Sequence, residues 1–323
     1  MVFSETVKED DMVAQRRGLR GYRTIILALV GAALAIFGAL WIAVIFPALD
    51  KIPTNYEKTL NFDGAFMVAN PATQSLDTIP ITQTMEQKAI GTEGNVLLIK
   101  EVRKVTNSAT GTDLSSIYGG ESTLAVDRST LAFVPNLGDI PREGQWAPPK
   151  GLGKGDTFLL WNPAAYRPLQ AKYVSSEQFR GLDVVVFKID ETNLLLGPDP
   201  RANNLNAYLS TEITLKIEPS SGTVVDQNAV TTMSYDVPTM GIVPSLISNI
   251  NYAESTITDL TNTARSASWM LLWFKTLIPW IAIGFGTMLV ISSAIIVAVR
   301  DIRKSRANKP THLPKPTSFP LDI

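Results

Sequence analysis

The 323-residue sequence contains no cysteine and a single histidine, His312, close to its C-terminal end. Without cysteine there is no disulfide and no thiol nucleophile, so the fold must rest on core burial. Without another histidine, the Ser-His-Asp triad, the Cys-His pair and the common zinc sites are excluded from the rest of the chain. Paired carboxylates remain available for glycosidase-type chemistry, but no motif singles out a pair. We therefore predict a non-enzymatic protein with no catalytic residue, no cofactor and no metal site.

Charge is missing from two long segments. Residues 24–46, TIILALVGAALAIFGALWIAVIF, and residues 276–299, TLIPWIAIGFGTMLVISSAIIVAV, contain no charged side chain. At 1.5 Å per residue each segment would span roughly 34 Å as a helix, enough to cross a hydrocarbon core of about 30 Å. The first segment is too long for a signal-peptide core, and it ends in Phe46-Pro47 rather than in small residues. Both segments are predicted to be transmembrane helices.

The cations that border these segments predict their orientation, because Lys and Arg accumulate on the cytoplasmic side of membrane helices. They precede the first segment and follow the second: Arg16, Arg17, Arg20, Arg23, then Arg300, Arg303, Lys304, Arg306 and Lys309. Both termini are therefore predicted to be cytoplasmic in a two-pass protein of the cytoplasmic (plasma) membrane. Residues 47–268, predicted to be extracytoplasmic, contain 17 Lys and Arg against 24 Asp and Glu, a net charge near −7. The cations act as topology signals, and no nucleic-acid partner is predicted.

Four tryptophans and one lysine agree with this orientation. Trp41 lies near the outer end of the first segment, and Trp269, Trp273 and Trp280 lie near the outer end of the second, with Lys275 among them. Amphipathic rings settle at the level of the lipid headgroups, and a lysine amine can snorkel toward water. We predict that these five residues lie at the membrane interface and that the lipid bilayer is a partner.

The segment between the helices is rich in short runs of Val, Ile, Thr and aromatic residues, separated by turn residues. Nine runs are typical of strands: 58–69, 78–90, 94–105, 122–128, 156–162, 170–179, 181–190, 207–219 and 223–235. No βαβ rhythm is present, which favours an antiparallel sandwich or open barrel. The predicted fold class is therefore a mainly β ectodomain with N- and C-terminal transmembrane α-helices.

Composition and periodicity together divide the chain into six parts. They are a cytoplasmic tail (1–23), a transmembrane helix (24–46), an extracytoplasmic β-rich domain (47–242), an amphipathic stalk helix (243–268), a second transmembrane helix (269–299) and a cytoplasmic proline-rich tail (300–323). The stalk helix follows from apolar residues at alternating steps of four and three: Leu246, Ile250, Ala253, Ile257, Leu260, Ala264 and Ala267.

Two elements offer routes to close helix packing. The stalk helix either packs its apolar seam on the β domain or along the stalk, or it self-associates through residues 246–267 as a coiled coil. Small residues recur in the transmembrane segments, at Gly31, Ala35 and Ala39 in the first and at Gly284 and Gly286 in the second. Such residues let helices approach closely, either within one chain or in a homo-oligomer.

Three stretches occur in an order that resembles the porin PorA family. They are LAVDRSTLAFV (124–134), GLGKGDTFLLWNPAAYRPLQAKYVSSEQFRGLDVVVFKI (151–189) and PSSGTVVD (219–226). The first contains an Asp-Arg-x-Thr motif, the second a segment that ends at a Trp and then a Gly-Leu-x-Val strand, and the third a Ser-Gly turn. The resemblance implies a membrane protein of a prokaryotic envelope, and the porin label rests on few members. The lack of an Asn-x-Ser/Thr sequon in residues 47–268 agrees with such an envelope.

The adjacent Asp127 and Arg128 pose the choice between a catalytic pair and a structural one. Neighbouring residues on a strand point to opposite faces, so the two side chains cannot jointly hold one substrate atom. We interpret Asp127, Arg128, Trp161, Gly181 and Gly222 as structural motif residues. A ligand-binding role for Arg128 is the alternative.

Three functions fit these features. The preferred hypothesis is an envelope protein whose extracytoplasmic β domain acts as a non-enzymatic binding or structural module for an envelope protein, a wall polymer or a lipid. The second is a pore-forming or transport component. It would have to be an oligomer, because two apolar helices cannot line an aqueous path alone. The third is a carrier of lipid or another hydrophobic ligand, which requires a cavity inside the β domain.

Overall fold

The chain divides into two compact units. A computed structural model describes the backbone of residues 5–70 and 75–307 and the side chains of residues 22–70 and 75–306. One unit consists of the terminal helices, up to Ala48 and from Trp273 onward, and the other spans Leu49–Leu272. Most of the predicted proline-rich tail, including His312, lies outside the described residues.

Two helical stretches are long and apolar enough, by length and composition, to cross a membrane: Tyr22–Leu49 and Glu254–Arg306. The first stretch consists of α1 (Glu5–Leu40), a π-helical turn (Trp41–Ile45) and α2 (Phe46–Leu49). In the second stretch a π-helical turn (Leu272–Leu277) precedes α5 (Ile278–Ala307). The backbone is already helical from Glu5, so the described part of the predicted N-terminal tail continues α1 instead of preceding it.

Glycines allow α1 and α5 of one chain to pack closely. A Cβ atom placed on Gly31 would lie 2.6 Å from Gly286 O, and one placed on Gly286 would lie 2.5 Å from Gly31 O and 2.7 Å from Ala35 N. A Cβ on Gly38 would lie 2.7 Å from Pro279 O. No side chain fits at these distances, so the helix axes can approach this closely only because the positions are glycine. Gly284, by contrast, has no atom within 4 Å of an added Cβ.

The second unit is a ten-stranded antiparallel sheet that curves as a half-barrel. The strands are β1 (Glu57–Asn70), β2 (Ser75–Glu93), β3 (Val96–Asn107), β4 (Gly120–Asp127), β5 (Thr157–Asn162), β6 (Arg167–Phe179), β7 (Leu182–Asp199), β8 (Leu205–Glu218), β9 (Thr223–Val237) and β10 (Gly241–Tyr252). Their order is β4-β3-β2-β1-β10-β9-β8-β7-β6-β5. A short helix α3 (Ser115–Tyr118) and a 3₁₀ turn (Pro200–Ala202) lie in the connections. The predicted fold class is confirmed.

One face of the sheet carries most of the hydrophobic core, and the register identifies it. Paired residues of antiparallel strands point to the same face, and a row of such pairs links Ile189, Ile213, Ala229, Ile250, Gly64 and Ile81 from β7 across to β2. We call this side of the sheet the core face. At Gly64 a Cβ would collide with Asn249 O, so β1 and β10 approach closely at this point.

The long connection between β4 and β5 links the two edges of the sheet. Phe133 forms a bridge with Val126 of β4, and Gln145 forms bridges with Ala132 and with Leu160 of β5. The backbone bonds Val134 N to Ala125 O (2.9 Å) and Gln145 N to Leu159 O (2.7 Å) belong to this link. Two edges that would otherwise expose unpaired backbone groups are thus partly satisfied by the same loop.

The predicted stalk helix is wrong over its first ten residues. Gly241–Tyr252 form β10, and helix α4 runs from Glu254 to Leu271. A step of four residues keeps a side chain on one face of a helix and also on one face of a strand, because four is an even number of residues. Leu246 and Ile250 therefore fit both periods, and both pack on the core cluster of Phe66, Ile81 and Val105.

Helix α4 packs on the sheet of its own chain. Leu260 is buried with Leu60 and Phe62 of β1, and Ala264 is buried with Val184 and Val225. Arg180 in the β6–β7 turn donates to Glu254 at 2.7 Å, and Arg265 donates to Arg180 O at 2.9 Å. Two seam positions of the predicted helix thus serve intramolecular packing, which is the first of the two alternatives drawn from the sequence.

We expect Gly286→Val to separate α1 from α5, because its side chain would meet Gly31 O and the backbone of Ala35. Overpacking of this kind costs about 2 kcal/mol. The temperature at which the detergent-purified full chain loses its helical circular dichroism should fall by several degrees. Gly284→Val is the matched control, since it adds the same side chain where nothing lies within 4 Å. Equal melting of the two variants would contradict the close packing of α1 against α5.

Candidate functional site

Asp127 and Arg128 have separate partners at the end of β4. Asp127 Oδ1 accepts the backbone N–H groups of Ser129 and Thr130 at 2.9 and 2.8 Å, and Oδ2 accepts from Asn95 Nδ2 at 2.8 Å. Arg128 Nε donates to Ile52 O at 2.6 Å. Asp127 thus closes a turn, while Arg128 holds the segment that enters the sheet. Their structural role stays a prediction, which these contacts support.

The charge of Asp127 depends on its hydrogen bonds. Desolvation would raise the pKa of this carboxyl group, but the bonds from Thr130, Asn95 and Ser129 together outweigh it and lower the pKa below its usual value. The carboxylate therefore stays ionised, and both of its oxygens accept hydrogen bonds from nearby donors. An acid for proton transfer would need the opposite shift.

The other three motif residues lie at turns or in a core cluster. Trp161 of β5 packs edge-on against Phe133, with ring centroids 6.0 Å apart. Gly181 has φ +76° in the tight β6–β7 turn. Gly222 has φ +73°, and a Cβ there would lie 2.6 Å from Pro148 O, so both the backbone angle and the available space require glycine. Within the part of the chain that the structure describes, none of these three residues contacts Asp127 or Arg128.

The predicted interface residues are distributed over the helices. Trp41 Nε1 donates to Phe274 O at 2.7 Å. Trp269 lies in α4, Trp273 and Lys275 lie in the π-helical turn that follows it, and Trp280 lies in α5. Trp269 and Trp280 are largely exposed, at 61% and 62%. Their placement at the interface stays a prediction.

A chain of polar side chains crosses the core face. Tyr56 Oη donates to Gln87 Oε1 at 3.0 Å, Gln87 Nε2 donates to Glu101 Oε2 at 2.9 Å, and Arg103 Nη2 donates to Glu101 Oε1 at 3.4 Å. We call these four residues the Glu101 network. Every second residue of β3 points to the core face, and these residues are Leu97, Ile99, Glu101, Arg103 and Val105. Glu101 and Arg103 therefore interrupt a row of apolar side chains on that face.

The Glu101 network is shielded from solvent and incompletely satisfied. Only 15% of the Glu101 side chain and 28% of the Arg103 side chain are exposed, and Gln87 is buried. Burial raises the pKa of Tyr56, and the charges of Tyr252 and Glu101 raise it further, so the phenol stays protonated as a donor. Arg103 Nε is buried and has no hydrogen-bond acceptor within the described residues. An unpaired buried donor is costly, so the chain itself does not fully satisfy the Glu101 network.

Lys58 lies beside the Glu101 network. It is paired with Gln87 across β1 and β2, and Gln87 is paired with Glu101 across β2 and β3. Lys58 is partly buried, and desolvation lowers the pKa of its amine to about 8. In the part of the chain that the structure describes, no ion pair or side-chain hydrogen bond involves this amine.

None of these five residues is among those predicted from the sequence, although two of them leave a local signal in it. In the stretch VLLIKEVRKV the odd positions are Leu97, Ile99, Glu101, Arg103 and Val105. A charge pair at positions that share the parity of a buried apolar row marks polar groups on the core face. Strand alternation alone would have identified Glu101 and Arg103, whereas Tyr56, Lys58 and Gln87 require the register between strands.

The family model described as Porin PorA matches residues 24–295, most of the chain. The chain belongs to the porin PorA family. Together with two apolar helices of membrane length, this membership identifies a membrane protein. No curated protein matches this PorA-family sequence. One solved structure with similarity to this chain is that of Rv2717c from M. tuberculosis. The sequence identity is 9%, the match covers 60% of this chain and 91% of that chain, and the TM-score is 0.24. Similarity at that TM-score supports no conclusion about the fold or the function of this chain.

We expect Lys58→Met to stabilise this PorA-family protein at pH 7. The amine has a pKa of about 8 when folded and 10.5 as its ordinary value, so the folded state binds fewer protons between these values. Stability of the unsubstituted protein therefore rises with pH across that window. Below the window the buried charge costs up to about 3 kcal/mol. The melting temperature of Lys58→Met should exceed that of the parent at pH 7, and the difference should shrink toward pH 10.5.

The control for this pH series is Lys88→Met. Lys88 is 67% exposed and pairs with Glu57 at 3.5 Å, so its removal should change stability by less than about 0.5 kcal/mol at every pH. A Lys58→Met protein that melts below the parent at all pH values would contradict the desolvation of Lys58. The measurement is thermal unfolding of the full chain in a nonionic detergent, followed by near-UV circular dichroism.

Proposed function

We propose that the chain is a two-pass protein of the cell envelope whose β domain lies outside the cytoplasmic membrane and binds a ligand without catalysis. The Glu101 network carries this proposal. Placing a carboxylate, a guanidinium and a buried amide on an apolar face costs solvation energy. A core built only for stability would not need them, whereas a binding surface needs a few placed polar groups among apolar neighbours.

The cationic flanks support the orientation. Arg300, Arg303 and Lys304 lie in the last turns of α5, and Arg23 lies close to the start of the first apolar segment. Lys and Arg at these positions favour cytoplasmic ends for both helices. The acidic sheet between them then lies on the opposite side of the membrane. The five interface residues predicted from the sequence fit the same arrangement.

The network also defines what the binding surface offers. Glu101 is an acceptor, Arg103 has an unused donor, and Tyr56 adds an aromatic ring that packs against Trp146 with centroids 5.6 Å apart. Polar groups beside aromatic rings suit a ligand with both polar and apolar parts. Asp127 is committed to its turn, so the network and not the Asp-Arg motif is the proposed contact surface.

A pore-forming or transport component is the second candidate, and the family description favours it. A conducting path would need several copies, because two apolar helices leave no polar lining of their own. The full chain in planar lipid bilayers tests this candidate. Discrete conductance steps would support it, and silence at high protein load would contradict it.

The orientation has a direct test, because the chain contains no cysteine and a single introduced thiol is the only target. Ala109→Cys and Ser305→Cys both place a thiol at an exposed position. We expect a membrane-impermeant maleimide to label Ala109→Cys in intact spheroplasts and to label Ser305→Cys only after lysis. The reverse pattern would invert the topology and overturn the proposal.

Ligand binding is tested by native mass spectrometry of the full chain released from detergent. We expect adducts on the parent protein, at least tenfold fewer on Glu101→Gln, and unchanged adducts on Glu121→Gln. Glu121 is a matched control, because it is 64% exposed and its partner Lys100 lies on the surface at 2.8 Å. A parent protein without any adduct, or equal loss in both variants, would contradict binding at the Glu101 network.

A further inference from the structure

Lys58 is a cation without a compensating anion on the core face. Its neighbours in register are Gln87 on β2 and, one strand further, Glu101. Glu101 already accepts from Gln87 and Arg103. Tyr56 precedes Lys58 by two residues and donates to Gln87. The nearest polar groups on this face are therefore committed to one another and not to the Lys58 amine.

The acids of neighbouring elements are also engaged or exposed. On β1, Glu57 points to the opposite face and pairs with Lys88. On β9, Asp226 pairs with Lys216 at 3.5 Å, and on α4, Glu254 pairs with Arg180 at 2.7 Å. Asp259 of α4 is exposed. Among the described residues, no carboxylate thus neutralises Lys58.

We propose that the Lys58 amine binds one anionic oxygen group, a carboxylate or a phosphate, of the ligand that occupies the core face. This inference rests on the proposed function and names the chemistry that the binding surface recognises. A partly desolvated ammonium is a compact point charge that attracts an anion more strongly than an exposed one does. Such an anion would restore the charge balance that the chain itself leaves open.

The surroundings of Lys58 define the rest of the group that fits. Leu60 follows it by two residues on the same face, and Met85 is paired with Leu60. Both pack in the cluster that contains Phe62 and Leu260. An anion that reaches Lys58 therefore lies beside this apolar cluster and, across β2, beside the Glu101 network. Whether an apolar body belongs to the group that binds is decided by the octyl probes below.

The test follows the Lys58 amine directly. Lysine amines of the full chain are methylated with ¹³C-formaldehyde under reducing conditions, and each gives an NMR signal whose position reports its protonation. Lys58→Arg identifies the Lys58 signal by its loss. We expect a titration midpoint near pH 8 without a probe, and a rise of one unit or more with a saturating probe that binds there. One unit corresponds to tenfold tighter binding to the protonated amine.

Four probes distinguish the sources of the anion: inorganic phosphate, acetate, octyl phosphate and octanoate. A rise with phosphate or acetate alone supports recognition of a free anion, and a rise only with the octyl compounds supports an anion on an apolar body. Lys88 is the internal control, and its signal should not move. If no probe displaces the Lys58 titration, or if Lys88 shifts equally, the proposal is overturned.

This outcome is separable from that of the proposed function. If the Lys58 signal ignores all four probes while Glu101→Gln still removes adducts, the core face binds a ligand but Lys58 does not recognise its charge. If the Lys58 signal responds while the parent protein carries no adduct, the anion contact stands and binding of a co-purified ligand at the Glu101 network is contradicted. Lys58→Met should weaken the probe that binds by at least tenfold, and Lys88→Met should leave it unchanged.

Discussion

The pairing of β1 with β10 is the interaction on which the rest of the sheet depends. β1 is the first strand after α2, and β10 is the last strand before α4. Their register sets Phe62 opposite Tyr252, so the chain enters and leaves the sheet at the same end. Gly64 makes the pairing close enough, because a side chain there would collide with Asn249 O.

The pairing of β1 with β10 also separates the elements that local sequence patterns predict from the one that they do not, which is β10. Nine strand runs and both apolar helices follow from local patterns that the structure reproduces. β10 could not be recognised, because Leu246 and Ile250 are four residues apart and satisfy the helical and the strand period alike. What resolves the ambiguity is the partner strand β1, which lies about 180 residues earlier in the chain and leaves no trace in a local window.

The candidate site shows the same division between local and distant information. Asp127 and Arg128 stand out in the sequence because they are adjacent and charged. Each of them is nevertheless hydrogen-bonded within the fold, Asp127 to the turn that follows it and Arg128 to Ile52 O. Glu101 and Arg103 are less conspicuous, and they become significant only when strand parity places them among Leu97, Ile99 and Val105. Tyr56, Lys58 and Gln87 join them through pairing across β1, β2 and β3, which no single segment encodes.

Charge on the core face bears on the proposed binding function. A structural network would be expected to close on itself, with every donor matched and every cation paired, because open groups are penalised most strongly where water is excluded. Among the described residues, Arg103 Nε lacks an acceptor although Arg103 is paired with Glu101 through Nη2, and the Lys58 amine lacks an anion. An anion at Lys58 would complete the open cation, whereas an aqueous path would hydrate this amine without needing Glu101, Gln87 and Tyr56 to be fixed in place.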